Sequence, residues 1–455
     1  MNILSNNLLF WSHSLLPEVC DYNLECLNKN QITHIIYCKN GSCELNPNSS
    51  RIICKACVTN TMKYIASCEQ VKIGIKINIK KTKSEKCFNC YDKVIDNYFL
   101  SIYRERNILH YTKKKLYFDN INRHLHYLGL KIDTEIMNID PSSIYVFNSR
   151  FPTSFMISLF AKRKGIKTIT YDLLALNVLH YSTNSTVLCP ENLARKVREF
   201  SKGKLFEEIV YHGKKYIKNK KEKKYIAYRI FNKNQISNKI FENVTYPYIA
   251  FFTSSVDEMD YFGDELLFPK IDQIDFINKF SSLIYKKGVC VVVRIHPNQS
   301  KSSFEKCCKE LEKNNRNIVL INGNSYSDTY KIMNDSMANI SFGSSTGIES
   351  ILMKKRSILI GRSIYDKSIQ IENYLTPQIL YSKIFKKNSV SDIQFIEACE
   401  WVYYLSSNDN KFSKETIINY NLLEKITFFT ARVLRFISHP KYYCFKKFNE
   451  YINTK

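Results

Sequence analysis

Short apolar runs alternate with polar, helix-like stretches along most of the chain. In the first half, Leu8–Trp11 reads as a short strand, Pro17–Asn28 as a helix and Thr33–Cys38 (THIIYC) as a second strand. Further on, Ser143–Asn148 (SIYVFN) reads as a buried strand, Ser154–Lys164 as a helix capped by Gly165, and Lys167–Tyr171 (KTITY) as the next strand. Strand, helix, glycine and strand in that order form a βαβ unit, which implies a parallel sheet. The second half repeats the pattern. Strands are expected at Tyr248–Thr253, Val289–Ile295, Asn317–Ile321, Ala338–Phe342 and Ser357–Ile360. Helices are expected at Asp272–Lys287, Phe304–Asn314, Tyr326–Asn334 and Ser345–Met353. Apolar strands with little alternation suit a sheet covered on both faces. The expected organisation is an α/β N-terminal domain over 1–200 with a Cys-rich insertion at 38–90, a polar basic linker over 201–245, a second α/β domain over 246–390, and C-terminal helices over 391–455. Within the last block, Asn421–Ser438 is amphipathic and basic.

Composition narrows the class. A hydrophobic content of 44% with 13% aromatics argues against a disordered chain. Glycine is scarce, 12 of 455 residues, and four of the twelve (Gly323, Gly343, Gly347 and Gly361) fall close together. Lys plus Arg is 67 and Asp plus Glu is 42, so the net charge is 67 − 42 = +25. Such an excess fits an AT-rich genome, a phosphorylated substrate, an anionic membrane surface or a nucleic acid. The densest basic run, Lys214–Lys224 (KKYIKNKKEKK), carries no RNA-recognition pattern and no helix-turn-helix or zinc-finger signature, so it reads as solvated linker. No nucleic-acid partner is therefore expected. The chain has no apolar run of 18 residues and its N-terminus lacks a basic n-region, which predicts a cytoplasmic protein with reduced thiols.

Five places can carry chemistry. Ser341–Ser350 (SFGSSTGIES) is a strand end, a hydroxyl-rich turn and a helix start. Ser344, Ser345 and Thr346 can donate to phosphate oxygens there, and Glu349 can accept from a ribose hydroxyl. The same residues also fit a Ser N-cap with a capping-box glutamate. Arg294–Asn298 (RIHPN) follows a strand, and Pro297 stops the ladder so that His296 projects from its carboxyl end. His296 can protonate a leaving phosphate and Arg294 can offset its charge. Ser254 and Ser255, in FTSSVDE, are further hydroxyls after a strand. Asp172, after Lys167–Tyr171, is a carboxylate able to take a proton from a hydroxyl nucleophile. Cys38, Cys43, Cys54 and Cys57 have spacing compatible with a structural zinc, or with plain core thiols. The second half shows no DxD-type carboxylate pair beside a strand, and no catalytic cofactor is expected.

The motifs FFTSSVDE (251–258), VVVRIHPN (291–298), FGSSTGIES (342–350) and RSILIGRSIYD (356–366), in that order, resemble the bacterial nucleotide-sugar-dependent glycosyltransferases of capsule and lipopolysaccharide clusters. IYVFNSRF (144–151) and GIKTITYD (165–172) are similar to acceptor-domain segments of that family, and the cysteine spacing at 38–57 to an insertion found there. The resemblance implies a GT-B fold, two Rossmann-like domains facing a cleft. It implies a CMP-, CDP- or UDP-type donor whose phosphate sits on His296, Ser344 and Ser345. It also implies a catalytic carboxylate in the acceptor domain, at Asp172. The acceptor would be a glycan or lipid-linked glycan, and the basic surface would hold the enzyme peripherally at the inner membrane face. The alternatives are a hydrolysing nucleotide-sugar 2-epimerase and, more remotely, a basic nucleic-acid-binding protein.

Overall fold

The computed structural model describes residues 2–5, 33–40, 50–67, 71–78, 141–147, 152–174, 178–184, 189–224, 232–254, 271–297, 309–311, 317–386, 388–406 and 421–438. Contacts divide the chain into two compact units, the first containing 1–172, 179–187 and 412–455, the second 173–178 and 188–411.

The first unit is built on a sheet of strands β1 (Asn2–Ser5), β2 (Thr33–Asn40), β3 (Val71–Asn78), β4 (Ser143–Phe147), β5 (Lys167–Leu174) and β6 (Val178–Thr183), in the order β3-β2-β1-β4-β5-β6. Pairing from β3 through β5 is parallel, with Asn2 opposite both Thr33 and Ser143. The three residues between β5 and β6 are too few for a parallel crossover. The Asn184 amide donates to the Thr168 carbonyl (2.8 Å), so β6 returns antiparallel. Helix α1 (Arg51–Ser67) adjoins β2 and β3, and α2 (Pro152–Arg163) joins β4 to β5. Gly165 closes α2 with φ of 69°, a left-handed turn that glycine adopts at no steric cost. The expected βαβ unit is therefore present. The expected strand at Leu8–Trp11 and helix at Pro17–Asn28 lie outside the described residues; the strand observed at this end is β1.

The second unit repeats the plan. Strands β7 (Tyr248–Phe252), β8 (Cys290–Arg294), β9 (Ile318–Ile321), β10 (Asn339–Ser341), β11 (Ser357–Ile360) and β12 (Glu372–Tyr374) lie in the order β12-β11-β10-β7-β8-β9, all parallel. Both faces are covered, as the unbroken apolar strands predict. Ile249, Phe251, Val291 and Val293 enter one core with α5 (Gln273–Ile284), while Tyr248, Ala250, Phe252, Cys290 and Val292 enter another with α6 (Thr329–Asp335). Helices α7 (Thr346–Leu352) and α8 (Pro377–Ile384) complete the layers. Of the expected Phe304–Asn314 helix, only 309–311 is described, and it is helical.

Two expectations about organisation are corrected. Residues 190–201 and 206–221 form helices α3 and α4 (Phe206–Lys221), so much of the expected 201–245 linker is helical. In α4, Ile209, Gly213 and Tyr216 are buried at helical spacing. Surrounding lysines obscure that period in the sequence because their stems tolerate a packed surface while their charges reach water. A Cβ on Gly213 would lie 2.4 Å from Cys399 Sγ, so α4 packs closely on α9 (Asp392–Ser406). The C-terminal helices do not form one block either. Helix α9 packs on α3 and α4, whereas α10 (Leu422–Ser438) packs on α1 through Phe428 and Ala431.

Candidate functional site

The carboxyl ends of parallel strands gather loops at one edge of a sheet, and ligands of open α/β sheets bind there, at the point where strand order reverses. In the second unit that point lies between β7 and β10. The register sets Phe252 opposite both Arg294 and Ser341, and Arg294 opposite Ile321. The loops that follow these strands enclose a cavity of about 160 Å³. Its lining includes Thr253, Arg294, His296, Ser344, Thr346 and Glu349.

The sequence explains how the loops close on one another. Gly323 lies against the 295–297 turn: a Cβ there would sit 2.6 Å from Pro297 Cα and 2.9 Å from the Ile295 carbonyl oxygen. Thr253 joins the neighbouring turns. Its amide donates to the Arg294 carbonyl (3.1 Å) and its hydroxyl accepts from the His296 amide (2.8 Å). His296 is half-buried and lines the cavity.

Arg294 is the central charge. It is 5% exposed, and Nη2 donates to the carbonyls of Gly323 (3.4 Å) and Ser325 (3.3 Å). Nη1 is buried with no hydrogen-bond partner among the described residues. Burial pushes the guanidinium down to about 10, against the opposing pull of Glu242 and Asp328. Glu242 accepts from Ser325 Oγ (2.7 Å) and from Ser327 Oγ, which fastens the loop that holds Arg294. A second buried donor, Thr346 Oγ1, has no partner among the described residues, and Thr346 lines the same cavity. A buried donor without an acceptor costs about 1–3 kcal/mol, more when charged. Arg294 and Thr346 are both among the residues that line the cavity.

The Ser-Ser-Thr turn is built from Gly343, which has φ of 89°. Tyr365 OH donates to the Ser344 carbonyl (2.8 Å), fixing the turn from below. Gly347 answers to the same tyrosine: a Cβ would lie 2.3 Å from Tyr365 OH and 3.0 Å from Ser341 Oγ. Close helix-to-strand packing thus requires Gly347. Ser345 is exposed, and its hydroxyl lies 3.4 Å from Glu349 Oε1. Helix α7 is only seven residues long, so it offers only a short run of aligned peptide dipoles.

The structure distributes the other sequence candidates as follows. Glu349 is 4% exposed and engaged by protein donors: Tyr330 OH at 3.0 Å on Oε2, with Lys220 Nζ at 3.5 Å on Oε1. Burial, then the nearby Glu349 carboxylate, raises the Tyr330 phenol well above its ordinary value. Ser254 is fully committed to the scaffold. Its hydroxyl donates to the Phe342 carbonyl (2.8 Å), and its backbone is bracketed by Gln273, at 2.9 Å and 3.1 Å. Ser255 lies outside the described residues. Asp172 falls within β5, two residues before its end, so the strand runs past the point expected. Cys38 is on β2, and Cys43 lies outside the described residues. Cys54 and Cys57 sit one turn apart on α1, Cys54 buried and Cys57 packed against the α1–α10 cluster. Among the described residues no group of three or more His, Cys, Asp or Glu side chains is arranged to hold a metal ion.

Lys220, Tyr330 and Thr253 were not singled out from sequence. Lys220 belongs to the basic run read as linker, and nothing in that run marks one lysine as different from the rest. The crowding of Gly323 with Gly343 and Gly347 is the one sequence signal that pointed at the packing of these loops.

No protein-family model matches the chain, and no curated protein does. Among solved structures, it is similar to Thermosulfurimonas dismutans KpsC, a beta Kdo 2,4 transferase, with 12% identity and a TM-score of 0.40 over 58% of this chain and 79% of that one. It is also similar to Methanocaldococcus jannaschii UDP-GlcNAc 2-epimerase in complex with UDP-GlcNAc and UDP, with 14% identity and a TM-score of 0.30 over 81% and 97% of the two chains. A third likeness is to the S. aureus MnaA-UDP co-structure, with 13% identity and a TM-score of 0.29 over 90% and 92%.

Proposed function

We propose that the chain is an inverting glycosyltransferase of GT-B type that moves a sugar from a nucleotide-activated donor to a glycan or lipid-linked glycan of a surface polysaccharide. The carrying observation is the cavity at the strand-order switch of the second sheet, whose lining includes Arg294 and Thr346, each with a buried donor atom that has no partner among the described residues. A donor phosphate supplies the acceptors both groups lack. Ser344, Ser345 and His296 line the same cavity.

In this reading Arg294 offsets the charge that grows on the departing nucleotide phosphate, and His296 hydrogen-bonds or protonates it. Asp172 takes the proton of the acceptor hydroxyl as that oxygen forms its bond to the anomeric carbon. The glycosidic phosphate bond breaks with its electron pair going to the nucleotide. The basic surface favours acceptors at an anionic membrane face.

Two measurements test the proposal. CMP, CDP or UDP is expected to raise the melting temperature of the purified protein, since a ligand that binds only the folded state stabilises it by mass action. Transfer from the matching nucleotide sugar is expected to fall by at least a hundredfold in His296→Ala. Unaltered transfer in that variant, or product formed from the nucleotide sugar with no acceptor present, overturns the proposal; the second result would instead identify an epimerase.

A further inference from the structure

One carboxylate lines the cavity among the described residues, that of Glu349, and it stands where the proposed ligand brings negative charge. A buried carboxylate beside a phosphate opposes binding unless a cation balances it. Here the balance comes from a distant part of the chain. Lys220, near the end of α4, lines the same cavity and places Nζ 3.5 Å from Glu349 Oε1. The lysine ammonium also lies 5.4 Å from the centre of the Tyr216 ring, one turn back on α4. Ile209, Gly213 and Tyr216 bury the inner face of that helix, so packing fixes where the ammonium arrives. The Lys220 carbonyl is held as well, by Asn232 Nδ2 at 2.8 Å.

The charges on the wall then sum simply. Lys220 and Glu349 cancel, and the buried guanidinium of Arg294 remains. We infer that Lys220 is a positioning residue that acts through Glu349: it neutralises the carboxylate so that the cavity presents the charge of Arg294 to an anionic phosphate ligand. The inference rests on the nucleotide-phosphate reading of the site and deepens it. It gives a role to one lysine of the basic run, and it makes Glu349 a balanced partner inside the wall.

A double-mutant cycle separates this role from direct contact with the ligand. The probes are inorganic pyrophosphate and the nucleotide that gives the largest thermal shift, titrated by calorimetry against the full chain. Lys220→Gln is expected to weaken both at least tenfold, because it leaves the Glu349 charge exposed to the ligand. Glu349→Gln alone is expected to bind as well as the parent or more tightly. The double variant, Lys220→Gln with Glu349→Gln, is expected to return to within about threefold of the parent. Lys220→Arg, which keeps the charge, is expected to bind like the parent and covers the case in which Lys220→Gln does not fold. Failure of Glu349→Gln to rescue Lys220→Gln overturns the inference, as does parent-like binding by Lys220→Gln. If Lys220→Gln does not fold, loss of pyrophosphate binding by Lys220→Arg overturns it. The two readings fail differently. Rescue with pyrophosphate, but no transfer from any nucleotide sugar, sinks the glycosyltransferase reading alone. Nucleotide binding with no rescue sinks the role of Lys220 alone, and no binding of either probe sinks both.

Discussion

Two turns of the second unit carry the same residue types after neighbouring parallel strands, and the structure uses them in opposite ways. Thr253-Ser254 follows β7 and Ser344-Ser345-Thr346 follows β10. Ser254 spends its hydroxyl on the Phe342 carbonyl and its backbone on Gln273, so it ties the two strand ends together. Ser344 has its carbonyl pinned by Tyr365, Ser345 stays exposed, and Thr346 has a buried hydroxyl with no partner among the described residues. One turn spends its serine hydroxyl on the scaffold, and the other lines the cavity. A hydroxyl count cannot separate them; the location of the nearest protein acceptor can.

That contrast can be broken by experiment. The largest effect belongs to the residue outside both turns: Asp172→Asn is expected to lower kcat about a thousandfold while nucleotide affinity stays unchanged, measured by steady-state transfer beside calorimetry. Equal losses in rate and affinity would place Asp172 with the donor instead. Next comes Arg294→Met, expected to weaken nucleotide binding about a hundredfold by calorimetry and, because it strips the Gly323 and Ser325 carbonyls of a donor and Glu242 of a countercharge, to lower the melting temperature of the ligand-free protein as well. Nucleotide binding by Arg294→Met within a few-fold of the parent would contradict the anion site.

Gly347→Ala is expected to cost about 2 kcal/mol by chemical denaturation, because its methyl group meets Tyr365 OH in a packed interior. Its effect on affinity should follow from the shift of the Ser344 turn and be smaller than that of Arg294→Met. The smallest pair tests the contrast directly. Ser254→Ala is expected to lose about 1 kcal/mol of stability with affinity preserved. Thr346→Val is expected to gain a few tenths to about 1 kcal/mol while nucleotide binding weakens several-fold. If Ser254→Ala changed affinity more than Thr346→Val, the division into scaffold and ligand turns would be wrong.

Much of the scaffold was legible in the chain. The βαβ unit around β4 and β5 and the strands β7, β8, β9, β10 and β11 appear within a residue or two of where apolar runs and glycines put them, except that β5 runs three residues longer. Elements without that signature were missed. Strand β3 (VKIGIKIN) is an alternating run, β12 is three residues long, and α1 lies in a stretch that its cysteines suggested was a metal-bearing insertion. Helix α4 was hidden by its lysines. Of the site, Arg294, His296, Ser344, Ser345, Thr346 and Glu349 do line one cavity, as their positions after parallel strands suggested.

The sequence by itself determined the strand order's raw material and the type of side chain offered at each strand end, because burial on two faces and strand termination are local properties of a run of residues. Only the tertiary structure decided which hydroxyl is consumed by the scaffold, that Gly347 serves Tyr365, and that Lys220 reaches Glu349 from 129 positions away in the chain. Those outcomes depend on which groups meet after the sheet and helices have packed. A donor such as Arg294 Nη1, without a partner among the described residues, is recognised only once its neighbours are in place.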